Sequence, residues 1–231
     1  MPEQTPITLN HFSFFNFSSS YYELSIEQRQ KIHQELLSGL QAASDCVEIY
    51  QIYPVQANTD ILIWSADRST EKSDPAQFFT RFAQATNPFR KYLTSSQALW
   101  GFTKPSQYTK TRSTQELDPF SGQRKPYLVI YPFAKTVDWY LMSREARQGM
   151  MNEHIRIGKE FPEITQLLLY SFGFQDQEFV VVYELDNLTQ FSDLVYALRD
   201  TEARRYTLRD TPNYTALYHP AAETLALWEQ P

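Results

Sequence analysis

The sequence predicts an α+β chain in which one element order, β-α-β-β-α-β, occurs twice. Three observations predict it. Strand-like apolar runs alternate with segments whose apolar residues return every three or four positions. The order of these segments is the same in both halves. Between the halves, Thr109–Lys125 carries Pro119, Ser121, Gly122 and many charges, which marks a loop.

The first copy spans residues 1–108. It opens with a strand, Ile7–Phe17, in which aromatic and polar residues partly alternate. A helix follows from about Ser25 to Ala43: Ser25 and Gln28 make a capping box, and Ile32, Leu36, Leu37 and Leu40 form its buried stripe. Strand Val47–Tyr53, a turn at Asn58–Thr59–Asp60 and strand Ile61–Ser65 come next. Asp74–Pro75 reads as an N-cap and an N1 proline opening a helix with Phe78, Phe79 and Phe82. Pro88 kinks or ends that helix, and Gln97–Thr103 closes the unit.

The second copy, residues 126–231, opens with strand Tyr127–Tyr131. Ser143 caps the next helix. Strand Ile164–Tyr170 turns at Gly173–Asp176 into strand Glu178–Leu185. A helix over about Asn187–Tyr206 buries Leu188, Phe191, Leu194, Val195 and Leu198, and Tyr214–Tyr218 is the last strand. Two such ferredoxin-like units can lay sheet against sheet and close into a dimeric-type α+β barrel within one chain, with helices outside. Residue identity between the copies is low.

Composition narrows the function. The chain of 231 residues suits one large domain or two small ones, and 16 Phe, 15 Tyr and 4 Trp make a bulky core. Net charge is −6 and the basic residues are scattered, which argues against a nucleic-acid surface or a polybasic membrane patch. A single cysteine, Cys46, excludes an internal disulfide and a Cys-based metal cluster, and no CxxCH motif is present. The N-terminus MPEQTPITLNHF has neither a basic n-region nor an apolar h-region, and no apolar run is long enough to span a membrane, so a cytoplasmic protein is expected. No HExxH, GxSxG, P-loop or GxGxxG appears.

The stretch with most chemical content is MMNEHIRIGKEF. Met150, Met151, His154, Ile157, Gly158 and Phe161 recur at helical steps, so His154 sits within an apolar face. Spacing leaves two roles open: a hydrogen-bonded core histidine, or a neutral axial ligand to haem iron. Gly158, one turn on, makes room for something flat and large, and the thioethers adapt to irregular apolar ligands. Gln166 is either half-exposed at a strand start or a neutral donor above a cofactor. Glu202 lies four after Leu198 and seven after Val195, on the apolar side of its helix. It pairs locally with Arg199 or Arg205, or receives the second ring N–H of His154. Tyr131 and Lys135, in YPFAK, are a core phenol and a solvated ammonium, or a redox-active phenol and a propionate partner. Trp100, Tyr108 and Trp139 are core residues or pocket wall. His11, His33 and His219 are weaker candidates.

Taken together, YPFAKTVDWYLM, MMNEHIRIGKEF, YSFGFQDQEFVVVYE and LRDTEARRYTLRDTP resemble the chlorite dismutase superfamily, which includes coproheme decarboxylases. The resemblance spans nearly the whole chain and is strongest over Tyr127–Tyr206. It implies paired ferredoxin-like units, non-covalent haem b or coproheme, and a homo-oligomer, often a pentamer. His154 then matches the proximal iron ligand, and Tyr131 and Lys135 match the decarboxylases' radical tyrosine and its neighbouring lysine. Gln166 matches the distal position, an arginine in chlorite-degrading members. Counting from His154 instead gives Leu167, so a one-residue gap is assumed. Glu202 matches the carboxylate behind the proximal histidine, and Tyr108 joins the cofactor-binding set. Leu117 stands near the place of a propionate-holding arginine, with Arg112, Arg124 or Lys125 to take its part. The resemblance implies peroxide-dependent decarboxylation of coproheme propionates to vinyls in haem b synthesis. Alternatives are chlorite conversion to chloride and dioxygen, peroxidase-like activity, or a non-catalytic haem carrier or sensor.

Overall fold

The computed structural model describes residues 7–109 and 113–230. The chain folds as two compact units. One takes the chain to Thr103 with Pro119–Gly122 and the stretch from Thr215; the other is Lys104–Asp118 with Gln123–Tyr214. The stretch expected to link the halves is therefore shared between the units, and the C-terminal tail belongs to the first.

In the first unit the order is β1 (Thr8–Phe17), α1 (Ser19–Tyr22), α2 (Ile26–Ala43), β2 (Cys46–Gln51), β3 (Ile61–Arg68), α3 (Asp74–Thr86), a 3-10 turn (Asn87–Phe89) and β4 (Leu93–Thr103). Antiparallel pairings give the strand order β4-β1-β3-β2. The Ser25–Gln28 capping box forms as expected. Asp74 is not the cap of α3: it is the first helical residue, and its carboxylate accepts from the N–H groups of Thr70 and Glu71 in the preceding turn. Pro88 does end the helix, which passes into the 3-10 turn. Aromatic and aliphatic side chains fill the space between sheet and helices, with Leu9, Phe15, Phe17, Leu36, Leu40, Phe78 and Phe82 all buried.

The second unit runs β5 (Tyr127–Lys135), α4 (Val137–Leu141), α5 (Arg144–Gly158), β6 (Thr165–Tyr170), β7 (Phe179–Leu185), α6 (Leu188–Arg199), a 3-10 turn (Glu202–Tyr206) and β8 (Thr207–Arg209). Its strand order, β6-β7-β5-β8, repeats that of the first unit. One element is added and one expectation is corrected. A short strand not foreseen, β8, pairs with β5, and Tyr214–Tyr218 follows as the expected last strand. Pro212 lacks an N–H and interrupts the run after Arg209, and the later strand, β9 (Tyr214–Tyr218), pairs with Tyr50 and Gln51 of β2. The last long helix stops at Arg199 rather than continuing to Tyr206. Thr201 is extended, and its hydroxyl donates to the Leu198 carbonyl in place of a continuing helical N–H. The tail adds α7 (Ala221–Ala226). Among the described residues no helix is long and apolar enough to cross a membrane.

Candidate functional site

Antiparallel register decides which side chains share a face of the second sheet. Val129 stands opposite Tyr183, which stands opposite Gln166; Tyr131 stands opposite Val181, which stands opposite Leu168. Directly opposed residues point the same way, so Tyr131, Tyr183 and Gln166 lie on one face. Leu128, Ile130, Leu167, Leu169, Val180 and Val182 lie on the other and are buried. The register thus places Gln166, and not Leu167, with Tyr131. The shared face is unevenly covered. Val129, Ile164, Val181, Tyr183 and Leu185 pack with Phe191, Leu194 and Leu198 of α6. Gln166 is exposed, and Leu168 is 38% exposed.

Helix α5 supplies the histidine. Ser143 caps it by accepting from the Ala146 N–H at 3.2 Å. At the far end the Gln115 amide donates to the carbonyls of Gly158, Phe161 and Ile164 at 3.2, 2.9 and 3.1 Å, which fixes the helix exit. Sequence reasoning missed Gln115, which sits in a loop with no periodic signal. No residue of α5 is fully buried, although one side of the helix is apolar. The ring of half-buried His154 forms no hydrogen bond with any described residue. Burial, with the nearby Lys135 charge adding and Glu153 opposing, lowers its pKa to about 4, so the imidazole is neutral at ordinary pH. A Cβ placed on Gly158 would meet nothing within 4 Å, so no neighbouring side chain fills that position one turn after His154.

Tyr131 is enclosed. Burial drives its pKa well above the ordinary phenol value, and its pairing with the Tyr183 phenol adds to the shift. The two rings stack at 6.1 Å. Tyr183 is the second site residue that sequence reasoning passed over, and strand alternation in FVVVYEL was the signal for it. Lys135 is half-buried. Its Nζ lies 4.6 Å from the Trp139 ring centroid and donates to the Ala203 carbonyl at 3.2 Å and to Thr207 Oγ1 at 3.3 Å. Burial, then the Arg204 charge, lowers its pKa to about 8, with Asp210 and Glu178 opposing. Trp139 is buried and forms part of the wall beneath Lys135. Tyr108 is tied to α5 through its carbonyl, which accepts from Gln148 Nε2 at 3.1 Å. Among the described residues no group of three or more His, Cys, Asp or Glu could hold a bare metal ion. A neutral imidazole whose ring has no hydrogen-bond partner among the described residues is a donor that would fit the iron of a haem.

The chlorite dismutase family model matches residues 26–218. The chain belongs to the chlorite dismutase family. A coproheme decarboxylase from Mycolicibacterium smegmatis is 26% identical over 214 residues, 90% of this chain and 89% of that protein. One from Staphylococcus saprophyticus is 29% identical over 227 residues, 88% of this chain and 90% of that protein. A chlorite dismutase from Ideonella dechloratans is 22% identical over 207 residues, 86% of this chain and 71% of its own. A solved mutant chlorite dismutase from Candidatus Nitrospira defluvii superposes with a TM-score of 0.83, at 26% identity over 96% of both chains. These relatives are named as enzymes.

The remaining expected site residues of this family member are placed differently. The carboxylate of Glu202 is not directed at His154. It is exposed and ion-paired with Arg205 at 3.1 Å, while its backbone N–H donates to Glu153 Oε2 at 3.2 Å. The helical spacing that put Glu202 on the apolar side fails because α6 has already ended. Trp100 belongs to the first unit, edge-on to Phe79 at 4.9 Å and Phe102 at 6.0 Å. Leu117 is buried. Of the cations expected in place of an arginine there, Arg124 is buried against Glu184 at 3.1 Å, and Lys125 pairs with Asp186 at 2.9 Å. Arg112 lies outside the described residues.

Proposed function

We propose that this protein binds an iron porphyrin non-covalently through His154 and uses peroxide to decarboxylate coproheme propionates to vinyl groups. The observation that carries this reading is the neutral His154 imidazole, whose ring has no hydrogen-bond partner among the described residues, with the uncrowded Gly158 one helical turn on. The decarboxylase names of two relatives support the choice of reaction. Per propionate, CH2CH2COO⁻ with H2O2 and H⁺ becomes CH=CH2, CO2 and two H2O, so peroxide accepts the two electrons. The bound iron porphyrin supplies the peroxide-driven oxidation and is itself the molecule modified.

Tyr131 is the residue to relay the oxidising equivalent. Its phenol is protonated at every working pH and lies on the sheet face that Gln166 shares. Lys135, with its pKa near neutrality, can exchange a proton with the departing carboxylate while Trp139 holds its ammonium in place. Gln166 is neutral. Chlorite turnover gains from a cation that retains an anionic intermediate, and Gln166 supplies none. Loading the protein with iron coproporphyrin III and adding peroxide tests the reading. Mass spectrometry should find vinyl-bearing products, and Tyr131→Phe should bind the porphyrin unchanged yet form none. Vinyl products from Tyr131→Phe would remove the relay role. Oxygen release from chlorite, or tight binding with no product, would point instead to the chlorite reaction or to a carrier.

A further inference from the structure

Tyr131 and Tyr183 meet diagonally across β5 and β7, because their directly opposed partners are Val181 and Val129. The ring planes are tilted by 29° at the 6.1 Å centroid distance. Tyr183 is 6% exposed. Its only other ring contact among the described residues is Phe191, at 5.1 Å, and Val129, Val181, Leu185 and Leu194 belong to the same cluster. A hydroxyl in such a place is costly unless it has a partner, and phenylalanine would fill the same volume without that cost. Among the described residues, the partner of the Tyr183 hydroxyl is the Tyr131 phenol. Burial raises the pKa of both. Their contact raises Tyr131 further and pulls Tyr183 back, which is the pattern of a Tyr131 O–H directed at the Tyr183 oxygen. Each hydroxyl has one proton to give and lone pairs to accept with, so the direction can reverse.

We propose that Tyr183 exchanges a hydrogen atom with oxidised Tyr131, and so holds the oxidising equivalent until a propionate is in place to receive it. This rests on the relay role given to Tyr131 above. In the exchange the Tyr183 O–H bond breaks as the Tyr131 O–H bond forms. One proton and one electron pass together, so a phenoxyl on Tyr131 becomes a phenoxyl on Tyr183 and Tyr131 is a phenol again. The oxidant is the peroxide consumed at the bound porphyrin. No charge is created, as a buried pair requires. The reverse exchange returns the equivalent to Tyr131. The other neighbours of Tyr183, a phenylalanine and aliphatic side chains, carry no group that a phenoxyl oxidises. Tyr183 is therefore a place for the equivalent to wait and not a way out.

Two measurements test this. In ligand-free protein with 3-fluorotyrosine at position 131, Tyr183→Phe should shift the fluorine resonance, and an unchanged resonance would remove the contact. In protein loaded with iron coproporphyrin III, 3-aminotyrosine, which is oxidised more readily than tyrosine, is placed at position 183. After peroxide, freeze-quenched electron paramagnetic resonance should show the aminotyrosyl radical, and vinyl formation should be lost because the equivalent is trapped. Adding Tyr131→Phe should abolish that signal. Absence of the aminotyrosyl signal, or its survival in Tyr131→Phe, would overturn the exchange. Tyr183→Phe should keep the Soret position of the loaded wild type and form fewer vinyl groups per peroxide; an unchanged yield would overturn the holding role. Absence of any Soret change when wild type is given the porphyrin would overturn the porphyrin reading and this inference together, whereas a wild type that forms vinyl groups beside a silent position 183 would overturn this inference alone.

Discussion

Two histidines, one from each unit of this chain, are both withdrawn from solvent, yet their surroundings are opposite. His11 of β1 is enclosed by Phe78, Phe79 and Phe82, whose ring centroids lie 5.6, 5.6 and 4.8 Å away, and it bonds Ser13 Oγ at 3.1 Å. The ring of His154 in α5 has no such cage and no hydrogen bond to a described residue. Both are held neutral by burial, with pKa values of about 4. The glycines repeat the contrast. A Cβ on Gly39 would meet the Ala85 Cβ at 3.3 Å, where α2 and α3 approach closely, whereas at Gly158 it would meet nothing. The same strand order thus carries a filled copy and a copy with unused space. A depressed histidine pKa does not distinguish core from site. The unspent coordination of the ring does.

Four experiments would break or sharpen this contrast. The largest expected effect is His154→Ala, which should abolish the Soret shift on adding iron porphyrin, while His11→Leu should leave it intact. Loss of binding in both variants would erase the distinction between the copies. Next, Phe82→Ala should cost about 3–5 kcal/mol in urea denaturation, because its ring is buried in a packed cluster. Met150→Ala, at a half-buried position of α5 where no residue is fully buried, should cost under about 1 kcal/mol.

The third experiment uses pH. His11 titrates near 6.5 unfolded and about 4 folded, so the unfolded chain binds more protons between these values. Its contribution is complete above pH 6.5 and is lost as pH falls toward 4, on the order of 3 kcal/mol at most. Replacing His11 with Leu should flatten this acid limb of the urea midpoint. The neutral His154 should instead keep porphyrin affinity level down to pH ~5, below which protons compete for the ring. The smallest effect on stability comes from Gly158→Leu, which should change the ligand-free midpoint by less than about 1 kcal/mol while reducing porphyrin affinity; Gly39→Leu should cost about 1–3 kcal/mol through overpacking.

The sequence by itself determined the duplicated element order, the Ser25 capping box, the helix around His154 and the strand carrying Tyr131, because periodicity and caps are local signals read within one turn or one strand. It also pointed to Gly158 as a place without bulk. Only the tertiary structure decided what the ends of elements do. Glu202 was placed by extending helical spacing across Thr201, and that spacing holds only while the helix does. Tyr214–Tyr218 has a strand's composition, and only the folded chain shows that Leu217 and Tyr218 pair with Gln51 and Tyr50 of β2. Register between β5, β6 and β7 put Gln166 beside Tyr183 and gave Tyr131 its phenol partner, and no spacing along the chain encodes that. Which cations are free is likewise a three-dimensional fact. Arg124 and Lys125 look available in sequence, but Glu184 and Asp186 are 60 and 61 residues away and meet them only in the folded chain. Local chemistry writes the elements, and the partners of each polar group are fixed only when distant strands close on one another.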